Sequence, residues 1–356
     1  MTHYEERLAQ DLARIKDKVA DLAQNVETAI QNALQALFSA DEKLAYEVVL
    51  NDHAINRASR GLDKLCHKFF AVHLPSAGLL RYISATMRAN LGLERIGDYA
   101  VTICRESVQI GHPPQDTIAK DMARLSDDTQ ETLKQAISAF NNSDADLAKN
   151  NIEQARDVTR EFDSVFKELI NQETKLPVQE MLYDLVIFTM LSRVVDQAKN
   201  ICEETVFAVT GETKAPKTYH VLFLDQDNAT LAPMAEAIAR KNFPEWGAYA
   251  SASKQAVNAT NSHLVRFLEE RGIKNPSPPT TLDPTADLSD CHVIVSLQGP
   301  VKSYIDTIPF STIALEWEAG DPPTDSDDTA AQFEKLYRTL ALQIQDLMDT
   351  IHGEEE

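Results

Sequence analysis

Several features of membrane and secreted proteins are missing from this sequence. No apolar run approaches the roughly 20 residues that a membrane-spanning helix needs. The first ten residues, MTHYEERLAQ, are charged at once and contain no apolar core of a signal peptide. The 4 cysteines lie far apart with no C-x-x-C spacing, which is typical of reduced, buried thiols. We therefore expect a cytoplasmic protein without direct membrane insertion.

Positive charge is also scarce. Against 55 Asp and Glu the chain has 34 Lys and Arg, a formal net charge of −21. Such a charge argues against unaided binding to nucleic acid or to an anionic membrane, and it favours solubility or a basic protein partner. A hydrophobic content of 43% is that of an ordinary soluble globular protein, and 356 residues suffice for two or three domains.

The first part of the chain has helical periodicity. From Leu8 to Leu37 apolar residues recur every three or four positions, which predicts one long bundle helix. Ser39 and Glu42 form a capping-box pattern that predicts the start of a second helix, and Pro75 predicts the start of a third. The paired prolines of GHPPQD then interrupt the pattern.

The same arrangement recurs after this break. Two further helices are separated by NNSDAD, where Ser143 is the expected cap, and Pro177 predicts the start of a third. The segment LERIGDYAVTIC (93–104) aligns with LSRVVDQAKNIC (191–202). We interpret the two halves as a duplicated three-helix unit, with repeat 1 at residues 1–112 and repeat 2 at 113–212.

The pattern changes after a polar linker at residues 213–218. Short apolar runs such as HVLFL, AYASAS, HVIVSL and TIALEW alternate with helical stretches, including VKSYIDTI and a closing helix. This alternation predicts a small α/β domain at 219–352 with a four-stranded parallel sheet. The protein is therefore predicted to be multidomain, with an all-α six-helix part and an α/β part.

Paired acidic residues stand out in the helical part. Each repeat has one pair of carboxylates four residues apart on one helix, and a carboxylate four residues from Asn or Ser on the neighbouring helix; like charges on one helix face are destabilising. Oxygen ligands at that density suit hard cations, and bundle metal sites are built from carboxylates on facing helices. The alternative is a solvated acidic face with Arg95 and Arg193 as salt-bridge partners. The pairs are Asp52 with Asn56, Glu94 with Asp98, Asp157 with Glu161, and Ser192 with Asp196.

These segments resemble the PhoU family of phosphate-uptake regulators. The resemblance is carried by NDHAIN, LPSAGLLR and LERIGDYAVTI, and by RDVTREFD, SRVVDQAKNI and VFAVTGET, through nearly all of residues 1–212. It implies a six-helix protein of two three-helix bundles. It also implies a negative regulator that couples a phosphate transporter to a sensor histidine kinase or to transport itself.

Some members of that family carry multinuclear iron or zinc on paired acid-x-x-x-acid motifs. This sequence departs from the motif once per repeat, at Asn56 and at Ser192. Each set keeps three carboxylates, which weakens a hard-cation site without removing it. The resemblance thus implies a candidate site for iron, zinc or magnesium. Its residues are Asp52, Glu94 and Asp98 in repeat 1 and Asp157, Glu161 and Asp196 in repeat 2.

The loop after the first predicted strand, in VLFLDQDNATLAPMAEA, resembles the phosphate loop of low-molecular-weight tyrosine phosphatases and arsenate reductases. In that family the loop reads C-x5-R-S, often followed by P-M-A-E-A, and PMAEA stands here at 233–237. Asn228 occupies a position where the family usually has Asn, and Asp321 matches its general acid.

The chemistry of that family does not carry over. Asp225 stands in place of the nucleophilic cysteine, Leu231 in place of the phosphate-binding arginine, and Ala232 in place of the serine. The reaction needs a thiolate and a fork of donors for the phosphoryl oxygens. Two carboxylates, of Asp225 and Asp227, would also repel an anion. We therefore expect an inactive pseudo-phosphatase, and no enzyme.

Two further roles for these aspartates remain open. FLDQDNATL also resembles the D-x-D-x-T-L motif of haloacid-dehalogenase phosphatases, with one residue too many. In that case Asp225 would be the nucleophile of a Mg²⁺-dependent phosphatase and Asp227 its acid/base. A purely structural role, in which both aspartates cap the following helix, is the simpler of the two.

The sequence thus leads to one main functional hypothesis and two alternatives. The main one is a non-enzymatic regulator of phosphate uptake and signalling that binds phosphate transporter components, a sensor histidine kinase, or both. The alternatives are the Mg²⁺-dependent phosphatase and a metal-sensing protein that uses the helical carboxylates. Long amphipathic helices also make a homodimer plausible, and the charge predicts no nucleic-acid partner.

Overall fold

The computed structural model of the chain describes residues 3–171, 177–213, 218–283, 285–286, 288, 290–309, 312–323 and 329–353. The chain divides into two compact units, Met1–Lys214 and Ala215–Glu356. This division falls inside the predicted linker at 213–218, of which residues 214–217 lie outside the described part.

The first unit is helical, as predicted, and its described part contains two consecutive sets of three helices. The apolar stripes of the helices meet in one continuous core, and α3 and α6 pack against each other more extensively than any other pair. None of the described helices combines the length and the apolar character needed to cross a bilayer. The helices are α1 (His3–Ser39), α2 (Glu42–Val72), α3 (Ala77–Ile110), α4 (Asp116–Asn142), α5 (Ala145–Asn171) and α6 (Val178–Thr210).

The predictions of two helix caps in this unit were wrong. Ser39 is the last residue of α1, and Asp41 caps α2 by accepting a backbone N–H at 3.0 Å. Ser143 adopts the left-handed conformation that ends α4, whereas Asp144 accepts a backbone N–H at the start of α5. Asp and Ser are both good N-caps, so the sequence pattern alone could not choose between neighbouring positions.

The second unit is built on a four-stranded parallel sheet with strand order β2-β1-β3-β4, as the alternation of short apolar runs predicted. β1 lies between two neighbours, and five of its seven residues are buried, which is typical of a central parallel strand. The strands are β1 (Tyr219–Asp225), β2 (Gly247–Ser253), β3 (Val293–Ser296) and β4 (Ile313–Glu316), and the helices are α7 (Leu231–Asn242), α8 (Ser262–Glu270) and α9 (Thr329–His352).

The two faces of this sheet are covered differently. Val221 and Phe223 share a core cluster with residues of α7, α8 and α9. Leu222 and Leu224 point to the other face and pack with Val301 and its neighbours. The helix predicted for VKSYIDTI is only a short 3-10 helix, Val301–Ser303. Pro300 and Pro309 leave too few residues between them for a stable α-helix.

The carboxyl ends of the parallel strands place polar residues along one edge of the sheet. Asp225 pairs in register with Ser253 at the end of β2, and Ser296 ends β3 on the other side of β1. The loop from β1 to α7 leaves the sheet at this edge, where the strand order turns from β2 on one side of β1 to β3 on the other. Such crevices are where open α/β sheets place their ligand sites.

Candidate functional site

The loop between β1 and α7 is occupied by a side chain of its own. Asp225 ends β1, and its Oδ1 accepts the backbone N–H of Asn228 at 2.6 Å. Its Oδ2 accepts the backbone N–H of Ala232, in the first turn of α7, at 2.9 Å. Amides that converge at a helix N-terminus form an anion site. Here the anion is the carboxylate of Asp225.

Burial governs the ionisation of this carboxylate. Asp225 is only 1% exposed. Desolvation destabilises the charged form of Asp225 more than the hydrogen bonds from the amides of Ala232, Asn228 and Leu231 stabilise it. The pKa of Asp225 is therefore raised to about 6. At neutral pH the group is therefore mainly ionised, and it keeps both amide hydrogen bonds.

Asn228 shapes the loop around this carboxylate. Its φ is +51°, in the left-handed region that Asn tolerates better than most residues. The side chain is fully buried, and its Nδ2 donates to the carbonyl oxygen of Ser251 at 3.2 Å. Asn228 thus ties the loop to β2 and turns its own N–H toward Asp225.

The capping interpretation is confirmed for one aspartate and wrong for the other. Asp225 holds an amide of the first turn of α7, as expected of a capping group. Asp227 instead accepts the N–H of Ala229 inside the loop, at 2.9 Å. Each oxygen of Asp225 thus accepts one backbone amide.

The two positions aligned with the phosphatase arginine and serine carry no polar side chain. Leu231 and Ala232 are fully buried and belong to the core cluster that packs against one face of the sheet. Asp321, the residue aligned with the phosphatase general acid, is exposed. Within the described chain no hydrogen bond or ion pair joins Asp321 to residues 225–232. The loop therefore has backbone amides arranged for an anion but carries no Lys or Arg side chain.

The neighbours of this loop were not predicted from the sequence. The Tyr304 hydroxyl donates to the carbonyl oxygen of Gln298, whose Oε1 accepts the N–H of Gln226 at 3.1 Å. Burial, with a smaller contribution from the Asp225 carboxylate, raises the pKa of Tyr304. Only the position of Gln298 just after a parallel strand could have indicated its place beside the loop.

The helical carboxylates of repeat 1 form a close pair. Asp52 Oδ2 accepts the Asn56 side-chain amide at 2.7 Å, while Asp52 Oδ1 is buried and has no hydrogen-bond partner in the described structure. The pKa of Asp98 is raised, mainly by desolvation and to a smaller extent by the charge of Asp52. Gly97 permits this approach of α2 and α3, because a Cβ there would lie 3.2 Å from Ile55 Cγ2.

The carboxylates of repeat 2 are instead neutralised by arginines. Arg160 pairs with Asp157 at 3.0 Å, and Arg124 pairs with Glu161. The partners expected from sequence, Arg95 and Arg193, form no ion pair with any carboxylate of the described residues. Two of the second set of three, Asp157 and Glu161, are thus paired with two different arginines.

The two predicted metal sets fit a cation only in part. An orphaned buried oxygen on Asp52 beside Asp98 is a feature that a hard cation would satisfy. However, within the described part of the chain no three His, Cys, Asp or Glu side chains are placed to hold one ion. Binding of iron, zinc or magnesium by Glu94, Asp196 and the other four residues stays a prediction.

Comparison with solved structures finds likenesses for both units. Over the α/β part the chain is similar to an arsenate reductase from Archaeoglobus fulgidus, with 23% identity over 36% of this chain and 98% of that one, at a TM-score of 0.31. A low-molecular-weight protein tyrosine phosphatase from T. tengcongensis matches with 20% identity over 37% and 99% of the two chains, at a TM-score of 0.31. The description of this unit therefore rests on its own strand order and loop geometry.

The helical part has stronger relatives. A phosphate-specific transport system accessory protein PhoU homolog from Pseudomonas putida is 28% identical over 214 residues, which is 59% of this chain and 83% of the relative. The crystal structure of PhoU from Pseudomonas aeruginosa matches at a TM-score of 0.55 and 28% identity, over 57% of this chain and 99% of that one.

The family comparison agrees with these relatives. The PhoU domain matches residues 7–107 and 122–205, one stretch in each repeat. Together the two stretches make up more than half of the 356 residues. The chain belongs to the PhoU family.

Proposed function

We propose that this protein is a non-enzymatic regulator of phosphate uptake, in which the helical unit binds phosphate transporter components or a sensor kinase at the cytoplasmic side. Family membership supports the regulatory part, since the related proteins are named as accessory proteins of a phosphate-specific transport system. The α/β unit serves as a pseudo-phosphatase module rather than a catalyst.

One observation carries the non-catalytic assignment. The Asp225 carboxylate accepts the amides of Asn228 and Ala232, in the position where a bound oxyanion would take them. A phosphate placed there would meet a like charge, and at about 4 Å this repulsion is on the order of 4 kcal/mol at an effective dielectric of about 20. The same burial argues against Asp225 as the nucleophile of a Mg²⁺-dependent phosphatase, because a nucleophile must reach its substrate.

The assignment is tested with the full chain and p-nitrophenyl phosphate, with and without Mg²⁺. We expect no turnover, and no rise in melting temperature when sulfate or phosphate is added. The variant Asp225→Ala empties the loop and should gain stability from either anion, by about 2.7 kcal/mol at a concentration 100 times its Kd. Asp227→Ala is the matched control, since Asp227 holds only the amide of Ala229 and should leave the loop closed.

Two results would contradict the assignment. Turnover by the wild-type protein that Asp225→Ala abolishes would establish the phosphatase. Equal stabilisation of wild type and Asp225→Ala by millimolar phosphate, above that given by NaCl at the same ionic strength, would show that the loop accepts an anion despite its carboxylate.

The regulatory role is tested in the native host with a phosphate-responsive reporter. Deletion of the gene should leave the reporter active at high phosphate, and the full-length gene should restore repression. A reporter that responds normally to phosphate without the gene would refute the role. Co-purification from phosphate-starved and phosphate-replete cells would then identify the transporter component or kinase.

A second candidate function is cation binding by repeat 1, favoured by the unpartnered Oδ1 of Asp52 beside Asp98. Elemental analysis of protein purified without chelator tests it. The double variant Asp52→Asn/Asp98→Asn should lose any iron, zinc or magnesium that the wild type retains, whereas Asp157→Asn should retain it.

A further inference from the structure

The outward side of α2 carries a basic surface that the proposed function does not explain. Its residues follow one another at helical spacing, so six side chains lie within about 80° of arc along about 33 Å of helix. The buried residues of α2, among them Ile55, Leu62 and Phe69, lie on the opposite side. We call this surface the α2 outer face; it consists of Tyr46, Leu50, Arg57, Arg60, Lys64 and Lys68.

All six residues of the α2 outer face are exposed. Tyr46 is 54% and Leu50 is 67% exposed, which is unusual for two large apolar side chains one helical turn apart. The four cations form no ion pair with a carboxylate of the described residues. Of the acids on α2 near the face, Glu47 pairs with Lys43 and Asp63 with His67, while the exposed Glu42 lies one turn before Tyr46, at the apolar end and away from the four cations.

The charge of this face is opposite in sign to the net charge of the chain. A protein with a net charge of −21 here presents four unpaired cations in succession and no acid among them. Arg and Tyr are the residues most often found at the energetic centres of protein interfaces. The face thus combines an apolar end, at Tyr46 and Leu50, with a basic end.

We propose that the α2 outer face docks an acidic segment of a partner protein, in the form of a helix with apolar residues at one end and Asp or Glu along the rest. This inference deepens the proposed function, because it assigns the surface by which the helical unit holds a partner. Charge complementarity gives such a contact its orientation, and Tyr46 and Leu50 supply the apolar anchor.

Other occupants fit the face less well. A second copy related by a two-fold axis near the middle of the face would bring Arg57 and Arg60 against their own counterparts, with no acid between them. An anionic bilayer or a nucleic acid is a large surface that the remaining negative charge of the chain repels. A single acidic helix meets only the basic face.

The test uses the full chain and a fluorescent probe peptide of about 22 residues, which matches the length of the face. The peptide carries Leu at one end and Glu at helical spacing along the rest, and a second peptide has Lys in place of each Glu. Binding is measured by fluorescence anisotropy at low and at physiological salt. Vesicles of phosphatidylglycerol and a DNA duplex are tested in parallel.

Three variants locate the binding site. Arg57→Glu/Arg60→Glu/Lys64→Glu should weaken binding of the acidic peptide at least about tenfold, and Tyr46→Ala/Leu50→Ala about fivefold. The matched control Lys134→Glu/Arg156→Glu/Arg160→Glu makes the same change of net charge elsewhere on the helical unit and should stay within about twofold. All these residues are exposed, so circular dichroism should show an unchanged fold.

Several results would overturn the inference. These are no binding of the acidic peptide, equal loss in the control variant, or tighter binding to vesicles or DNA than to the peptide. Dissociation of a wild-type dimer by the charge reversal, seen by sedimentation, would assign the face to self-association instead. A charge-reversed variant that loses the peptide but still represses the reporter in cells would refute the docking surface alone. A wild-type gene that fails to repress would refute the proposed function and leave the peptide result standing.

Discussion

Two carboxylates of the α/β unit are buried, whereas in the helical unit Asp52 is half-buried and Asp98 is exposed, and the two units also surround these groups differently. In the α/β unit Asp225 accepts two backbone amides, and Glu236, which is fully buried, accepts hydrogen bonds from Ser251, Ser277 and Arg240. In the helical unit Asp52 has an oxygen with no partner in the described structure. Close by, the pKa of Asp98 is raised by burial and by that neighbouring charge.

This difference separates two uses of an acidic side chain. A carboxylate that is supplied with donors holds neighbouring segments together, and removing it leaves those donors unsatisfied. A carboxylate that faces another carboxylate weakens the fold, and such groups are concentrated at functional sites. The comparison therefore predicts opposite effects of neutralising acids in the two units.

The largest effect is expected from Glu236→Ala. The buried Ser251 Oγ at 2.5 Å, the half-buried Ser277 Oγ at 2.7 Å and the partly exposed Arg240 guanidinium would lose their acceptor. We expect the free energy of unfolding of the α/β unit to fall by about 3–5 kcal/mol. Urea unfolding followed by tryptophan fluorescence measures this unit selectively, because Trp246 and Trp317 both lie in it.

The matched control is Glu245→Ala. Glu245 is exposed and should change the free energy of unfolding by no more than about 0.5 kcal/mol. A Glu236→Ala protein as stable as wild type would show that the buried network contributes nothing, and it would remove one side of the comparison.

An intermediate effect is expected from pH, through Asp225. Its pKa of about 6 in the folded unit lies above the roughly 3.9 of an unfolded chain. Between these values the folded state binds more protons than the unfolded state, so stability falls as pH rises. The loss between about pH 4 and about pH 6 should reach at most about 3 kcal/mol.

The pH dependence is measured by the same fluorescence-detected urea unfolding. Asp225→Asn should flatten the slope in this window, whereas Asp321→Asn, which changes an exposed acid, should preserve it. If Asp225→Asn leaves the slope unchanged or makes stability fall more steeply, the amides of Asn228 and Ala232 offset or outweigh burial.

Local patterns in the sequence were enough to predict the architecture. The stripe from Leu8 to Leu37 predicted α1, and the short apolar runs predicted all four strands, because helices and buried strands have distinct periods. Failures were confined to the ends and to short elements. Asp41 rather than Ser39 caps α2, and the helix expected after Pro300 is only a 3-10 turn.

The sites could be predicted less well, because their partners are distant in sequence. The motif placed Asp225 in an anion-shaped loop, but only the folded loop shows that its carboxylate takes the amides itself. Similarly, spacing placed Asp157 and Glu161 on one helix face, while Arg124, on another helix, neutralises Glu161. Glu236 stands in the PMAEA segment and has Arg240 four residues on, but local sequence could not indicate its donor Ser277, which lies 41 residues away.

The smallest effect is expected from Asp98→Asn in the helical unit. The substitution removes one of two facing carboxylates and should raise the free energy of unfolding by a few tenths to about 1 kcal/mol, since Asp98 is partly solvated and solvent screens the pair. Asp157→Asn is the matched substitution in repeat 2, where it removes the partner of Arg160 and should be neutral or slightly destabilising. Urea unfolding followed by circular dichroism at 222 nm reports the helices.

If Mn²⁺ or Fe²⁺ stabilises wild type but not Asp98→Asn, the uncompensated pair is a cation site. If Asp98→Asn destabilises the protein in the absence of any metal, the pair already has a donor, and the contrast between the two units fails.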